Sequence, residues 1–378
     1  MPVSGTIRAR IALEDGWTAL GWSTGAAGTA SGECVFNTCL SGYQEVLTDP
    51  SYAGQIVVMT YPLIGNYGIV EGDEESPHPQ VAGYVMRECV RSPSNWQASD
   101  TLPRWLTRHG VVAIEGIDTR QLTLHLRDRG ALRGVVTTDT LEVGEAVARA
   151  RAIPPMEGRD LTGEVTVSAP RIEGEGDLTV AALDFGLKQN IVRQLAEAGC
   201  RVVRLPATAS PKEILDLRPD GLFCSNGPGD PAAAGSAIEN LRRLSRKAPD
   251  LPTFGICLGH QLLALAHGGT TYKLKFGHHG GNHPVQDLRT GSIDITSHNH
   301  GFAVREERTP GRRIVAGAPD LEVTHVNLYD GTVEGFRHVE RPLLAVQYHP
   351  EAAPGPHDAR HHFDDFVTAM RARRGERP

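Results

Sequence analysis

The 378-residue chain lacks most of the features that would tie it to a membrane, a secretory route or a nucleic acid. No stretch approaches the roughly 18 uninterrupted apolar residues of a transmembrane helix. The opening MPVSGTIRARIALEDG has no apolar core followed by a small-residue cleavage site, so no signal peptide is expected. The six cysteines, at 34, 39, 89, 200, 224 and 257, form no CxxC pair. They read as free, mostly buried thiols in a reducing compartment, and the expected location is the cytoplasm. The zinc-hydrolase pattern HExxH and the phosphate loop GxxxxGK(S/T) are both missing. Lysine plus arginine number 38 against 45 aspartates and glutamates, a net charge of −7 with no long run of either sign. That balance speaks against a nucleic-acid partner held on a basic face. The short basic tail from Arg371 to Pro378 reads as a solvated helix end.

With 40% hydrophobic and 22% charged residues, the chain has the composition of a folded soluble protein. At about 150 residues per domain its length predicts roughly two domains. Residues 1–151 show short apolar runs broken by Gly, Pro, Asn and Asp, the texture of a mixed, β-rich domain with long loops. One helix is predicted over Thr119–Arg129, with an aspartate cap before it and Gly130 as its stop. Residues 152–176 concentrate Pro, Gly and charge and read as a linker. In residues 177–372 strands alternate with helices: LTVAALDF, KQNIVRQLAEAG, CRVVRLP, SPKEILDLRP, DGLFCSNG, a helix from Ala234 to Lys247, LPTFGIC and LGHQLLALAHGG. This alternation predicts an α/β fold with a doubly wound, mostly parallel sheet, whose ligands bind beyond the carboxyl ends of the strands.

The segment TFGICLGHQLLALA places Gly255, Cys257 and Gly259 where a buried strand runs into an apolar helix. This is the pattern of a nucleophile elbow, with cysteine in place of serine. A thiol there meets the N–H groups and positive dipole end of the helix, which favour the thiolate. An isolated free cysteine is more often a small buried hydrophobe; the flanking glycines and the available partners turn the reading toward a nucleophile. In PLLAVQYHPEAAPGP an apolar strand leads into His349, Pro350 and Glu351. Residues two apart on extended chain point to one side, so Glu351 can accept from one imidazole nitrogen while the other faces a thiol. An oxyanion hole is expected from the N–H of Leu258 and from Gly229 in the loop SNGPGDP, where Gly227 and Gly229 flank Pro228.

GICLGHQ, NGPGDP and the HPE triplet resemble the triad-type (class I) glutamine amidotransferases. FNTCLSGYQEVLTDPSYAGQI, TYPLIGNYG, KFGHHGGNHPV and HNHGFAV narrow the likeness to the small subunits of carbamoyl phosphate synthetases, over nearly the whole chain. The resemblance implies a glutaminase that passes ammonia to a large synthetase subunit in a heterodimer. That partner would use bicarbonate and two ATP, with Mg2+, to make carbamoyl phosphate for arginine and pyrimidine synthesis. No cofactor is expected in this chain. The resemblance makes Cys257 the nucleophile, His349 the general base and acid, and Glu351 its orienting carboxylate. Glutamine would be held by Ser51, Gly227, Gly229, Leu258, Gln261, Asn299, Gly301 and Phe302. One departure is His298, where the family motif has glutamine; next to Asn299 it is expected to tune the pocket.

Thirteen of the sixteen histidines follow residue 257. His278, His279, His283, His298 and His300 suggest a metal site, but no cysteine or HExxH accompanies them, so no metal is expected and hydrogen bonding is the reading adopted. GHHGGNHP reads as a glycine-rich loop, and HDARHH, from His357 to His362, as a helix start with a solvated face. Two further functions remain open at this point. A stand-alone cysteine hydrolase would need no partner, and a non-catalytic regulatory subunit would not need its triad.

Overall fold

A computed structural model describes residues 7–376, so the first six residues of the opening segment and the last two of the basic tail lie outside the described residues. The chain divides into two compact units, one running to Met156 and including Lys275–Gly280, the other comprising Glu157–Leu274 and the chain from Gly281 onward. No helix among the described residues is long and apolar enough to cross a membrane.

The first unit is built on a closed barrel of seven strands. Around the barrel they run Arg8–Leu13, Thr18–Ser23, Ala113–Glu115, Gly83–Val85, Gln55–Met59, Thr29–Asn37 and Leu132–Thr137. Three parallel pairs join the four strands from Ala113–Glu115 to Thr29–Asn37 in this order, and antiparallel pairs complete the closure. Alternation along the strands sends Ile11, Cys34, Ile56, Val58, Ile114 and Val136 into one core. Their neighbours Val35, Val57, Met59, Tyr84 and Ala113 enter a second core with Tyr43, Tyr52, Leu102 and Trp105. The predicted helix spans Thr119–Arg129; Asp118 caps it by accepting from the Gln121 N–H at 3.0 Å, and the Gly130 N–H closes it on Leu126 O at 2.7 Å.

The stretch GHHGGNHP is not a loop. It lies within a 17-residue strand, Thr271–Asp287. Lys275 O accepts from Ala131 N–H and His279 O from Thr38 N–H, while the Phe276 ring stacks on Phe36. Glycine content suggested a turn, but pairing with partners more than a hundred residues away fixes this segment as strand, a constraint that local propensity does not carry.

The second unit has the expected doubly wound α/β architecture. Strands Cys200–Pro206, Leu178–Asp184, Gly221–Cys224, Thr253–Ile256 and Leu343–Val346 lie side by side and parallel. Val333–His338 and Ala318–Asn327 extend them antiparallel. Helices Gly235–Lys247 and Leu258–Ala266 pack on one face and Gln189–Glu197 and His361–Arg373 on the other, which buries both faces and explains the nearly continuous apolar runs of the parallel strands. Residues 157–176, read from sequence within a linker, are part of this unit. They form a helical turn, Thr162–Val165, and a strand, Arg171–Glu173, paired antiparallel to the edge strand Cys200–Pro206. Backbone bonds to Asp184 and Asp230 side chains hold them down, contacts invisible to a local reading.

Candidate active site

All six cysteines are free and buried. Burial pushes the Cys89 thiol up to about 11 and Cys200 up to about 12, and raises Cys34 and Cys224 as well, so these four are inert apolar fillers. Cys257 differs in its backbone. It follows the strand Thr253–Ile256 and caps the helix Leu258–Ala266 with φ 53° and ψ −104°, a left-handed conformation that a non-glycine residue adopts only under constraint. Two flanking glycines make the turn possible. A Cβ on Gly259 would stand 2.1 Å from Cys224 O, and one on Gly255 would stand 2.6 Å from Leu263 Cδ1. The Cys257 N–H bonds Val346 O at 2.9 Å, and its thiol donates to Asn299 O at 3.5 Å.

His349 and Glu351 sit just past the strand Leu343–Val346, the immediate neighbour of the elbow strand. His349 Nδ1 is 2.6 Å from Glu351 Oε1, and the His349 N–H donates to Ser297 O at 2.8 Å. The other ring nitrogen, Nε2, has no nitrogen or oxygen partner among the described residues; its neighbour is the Cys257 sulfur. Burial alone pushes this imidazolium down, but the Glu351 carboxylate and the Cys257 sulfur outweigh it and raise the ring to about 10. Glu351 responds in the opposite sense. Burial pushes its carboxyl up, while Lys188 and then His349 outweigh burial and hold it down at about 2.

Lys188 escaped the sequence reading. Its Nζ donates to Glu351 Oε1 at 3.0 Å and to Ala352 O at 2.7 Å, with the lysine side chain 3% exposed and the glutamate 0%. Asn190 Nδ2 donates to Glu351 O at 2.6 Å from the same segment. Asp184, fully buried, shapes that loop by accepting from the N–H groups of Gly186 and Leu187. One signal was available: Lys188 follows the carboxyl end of a central strand, the side of a doubly wound sheet where ligands and charges gather.

The remaining candidates fall into two sets. Leu258, Gln261, Asn299 and Phe302 are buried beside the elbow, with Gly301 between the last two. Gln261 Nε2 donates to Phe302 O at 2.8 Å and to Gln347 Oε1 at 2.9 Å, tying the elbow helix to the strand Ile293–Val304. Gly227 touches the elbow helix, since a Cβ there would stand 2.8 Å from Leu258 Cδ2 and 2.1 Å from Phe185 O. Its glycine is required by this close approach. Gly229 has φ 94° and bridges to Asp160. Ser51 belongs to the first unit, in the turn Pro50–Tyr52, where its N–H donates to Asp49 Oδ1 at 2.9 Å. His362 is buried, not solvated as its segment suggested: it opens the helix His361–Arg373 and hydrogen-bonds Tyr348 OH at 2.7 Å.

A thiol on a strained elbow at a helix N-terminus, an imidazole raised by a buried carboxylate and a lysine behind that carboxylate can generate a nucleophilic thiolate and return its proton to a leaving group. Comparison with known proteins agrees in both halves. Residues 11–136 match the family described as carbamoyl-phosphate synthase small chain, CPSase domain, and residues 181–369 match glutamine amidotransferase class I. The carbamoyl phosphate synthase small chain of Chlorobaculum tepidum is 50% identical over 366 residues, covering 96% of this chain and 98% of its own. That of Akkermansia muciniphila is 50% identical over 378 residues, covering 97% and 98%, and that of Synechocystis is 48% identical over 393, covering 100% and 99%. The chain therefore belongs to the carbamoyl phosphate synthase small-chain family, with a class I glutamine amidotransferase domain as its second half.

Proposed function

We propose that Cys257 attacks the side-chain amide of glutamine and that this chain is the ammonia source for a large synthetase subunit. The observation that carries the reading is the elbow itself: a buried cysteine at φ 53°, beside an imidazole braced by Glu351 and Lys188. His349, raised by the Glu351 carboxylate and the neighbouring sulfur, is the cation that stabilises negative charge on the attacking sulfur. Attack of the thiolate on the amide carbon forms a C–S bond and moves an electron pair to the carbonyl oxygen. The N–H of Leu258, at the start of the elbow helix, and that of Gly229 receive the oxyanion, each donor worth about 3 kcal/mol in the transition state. As the intermediate collapses, the C–N bond breaks and His349 gives its proton to the departing nitrogen, which leaves as neutral ammonia. Neutral His349 then takes a proton from water, the hydroxide adds to the thioester carbon, and the C–S bond breaks to release glutamate and restore the thiolate.

Asn299, Gly301, Phe302, Gln261 and Gly227 hold glutamine through its ammonium and carboxylate groups. Neutral ammonia is the nucleophile the synthetase needs, so it travels sheltered to the large subunit of a cytoplasmic heterodimer. ATP, Mg2+ and bicarbonate are handled there.

Cys257→Ser in the assembled complex tests the assignment. Glutamine-dependent carbamoyl phosphate synthesis is abolished, while synthesis driven by added ammonia is retained. Loss of both in a folded complex, or retention of both, overturns it.

A further inference from the structure

Gln261 and Gln347, both buried, meet beside the nucleophile elbow, and their hydrogen bonds settle which way each amide points. The Gln261 atom 2.8 Å from Phe302 O is its nitrogen, because a carbonyl only accepts. Gln347 Oε1 stands 2.9 Å from the same Nε2. An amide nitrogen has two hydrogens and nothing with which to accept, so the Gln347 atom in this contact is oxygen and receives the second hydrogen. Both hydrogens of the Gln261 amide are thereby committed within the protein. What Gln261 has left to offer a ligand is Oε1, an acceptor and not a donor.

The two bonds act differently. Phe302 O alone would leave the amide free to swing, since the last torsion of a glutamine side chain is soft and roughly two-fold. A second acceptor, on a different element, fixes the amide plane. Gln347 is itself held firmly enough to be that acceptor. It follows directly on the strand Leu343–Val346, where Val346 O accepts the Cys257 N–H at 2.9 Å. Its own N–H donates to Glu334 O at 2.9 Å, which pins it to the strand Val333–His338. Two residues on, His349 reaches the Cys257 sulfur, while Tyr348 between them turns away to His362. One short segment thus holds the elbow backbone, the base and, through Gln347, the orientation of Gln261.

We propose that Gln347 is a positioning residue for glutamine binding: by accepting from Gln261 it holds that side chain with its oxygen, not its nitrogen, presented to the ammonium group of glutamine. The inference rests on the glutamine hydrolysis proposed above. An amide oxygen receives an ammonium hydrogen, whereas the same side chain turned end for end would set N–H groups against a cation. The contact is made alike to bound glutamine and to the transition state, so Gln347 acts on binding and leaves the chemical step unchanged. Nothing in the local sequence marks this residue, because Gln261 lies 86 positions away.

The test uses the full chain in its assembled complex and reads glutamate release. Gln347→Met keeps the side-chain length and removes the acceptor; KM for glutamine rises about 10-fold while kcat changes by less than about 2-fold. Glutaramate, which is glutamine without its ammonium, serves as a competitive inhibitor. Its inhibition constant stays within about 2-fold of the parent value, because there is no ammonium to receive. Gln347→Glu keeps an acceptor oxygen and returns KM to within about 3-fold of the parent. Thermal melts check folding, and Gln347→Leu takes the place of the methionine variant should that one not fold. An unmoved KM, a KM and inhibition constant that rise together, or a Gln347→Glu as impaired as Gln347→Met overturns the assignment. The Cys257→Ser complex separates this outcome from the underlying reading. Glutamine hydrolysis that survives in it overturns both, whereas its loss there with an unmoved KM in Gln347→Met overturns the role of Gln347 alone.

Discussion

Replacing Lys188 by methionine removes one of the two cations that hold Glu351 ionised. Lys188 Nζ and Glu351 Oε1 are 3.0 Å apart with side chains 3% and 0% exposed, so water cannot screen the change. At an effective dielectric constant of 20, two unit charges at that distance attract by about 5–6 kcal/mol. Much of this offsets the cost of burying both ions, and for that reason the pair as a whole adds little to stability. Removing only the lysine is a different matter, because the carboxylate stays buried with its compensation halved. The expected loss is about 3–5 kcal/mol, or roughly 10 °C in the melting temperature of a unit this size. Glu351→Gln added to Lys188→Met removes the stranded charge, so the double variant is more stable than the sum of the two single losses requires. The deficit also depends on pH. Glu351 is held at about 2 in the folded chain against an ordinary 4.5, so its stabilising contribution is complete above 4.5 and is lost as pH falls toward 2. Lys188→Met should therefore differ most from the parent near neutrality and converge on it in acid. Thermal melts of the four chains between pH 3 and 8 supply every number needed. Strict additivity, or a Lys188→Met loss below about 1 kcal/mol at pH 7, would refute the role of Lys188 as the carboxylate's buried counter-ion.

Three further outcomes follow from the same site. Gly259→Ala places a Cβ 2.1 Å from Cys224 O and should cost about 1–3 kcal/mol while slowing alkylation of Cys257, because the elbow must shift; unchanged melting and labelling would count against the close approach. Selective histidine NMR should find His349 titrating near 10, with its contribution to stability full below 6.5 and lost as pH rises through 10. A midpoint at or below 6.5 would contradict this. In Glu351→Gln the midpoint moves down, since burial then loses its strongest opponent, and glutamine hydrolysis falls with it.

The parallel sheet was legible because strands covered on both faces carry long apolar runs, and the elbow because two glycines around a cysteine at a strand-to-helix junction have few structural uses. The contact between His349 and Glu351 was legible from the two-residue period of extended chain. Lys188 was not, since as the first residue of an amphipathic stretch it looked like an ordinary helix start, and its partner lies 163 positions away. The same limit hid the strand character of GHHGGNHP and the burial of His362, which depend on what packs against them. The histidine excess misled in a different way. Burial pushes His260 and His325 down to about 3, so these rings are neutral: His260 packs against Phe336 and His325 hydrogen-bonds Thr324 Oγ1.

The three-residue strand Arg171–Glu173 has a role beyond connecting the two halves of the sequence. It covers the outer side of Cys200–Pro206, which without it would present a free row of N–H and C=O groups at the sheet margin. A single short strand with a charge at each end recruits further strands poorly, so it acts as a stopper against edge-to-edge aggregation. An amidotransferase half excised at residue 177 loses this stopper and should precipitate, whereas one cut at Glu157 keeps it and should stay dispersed.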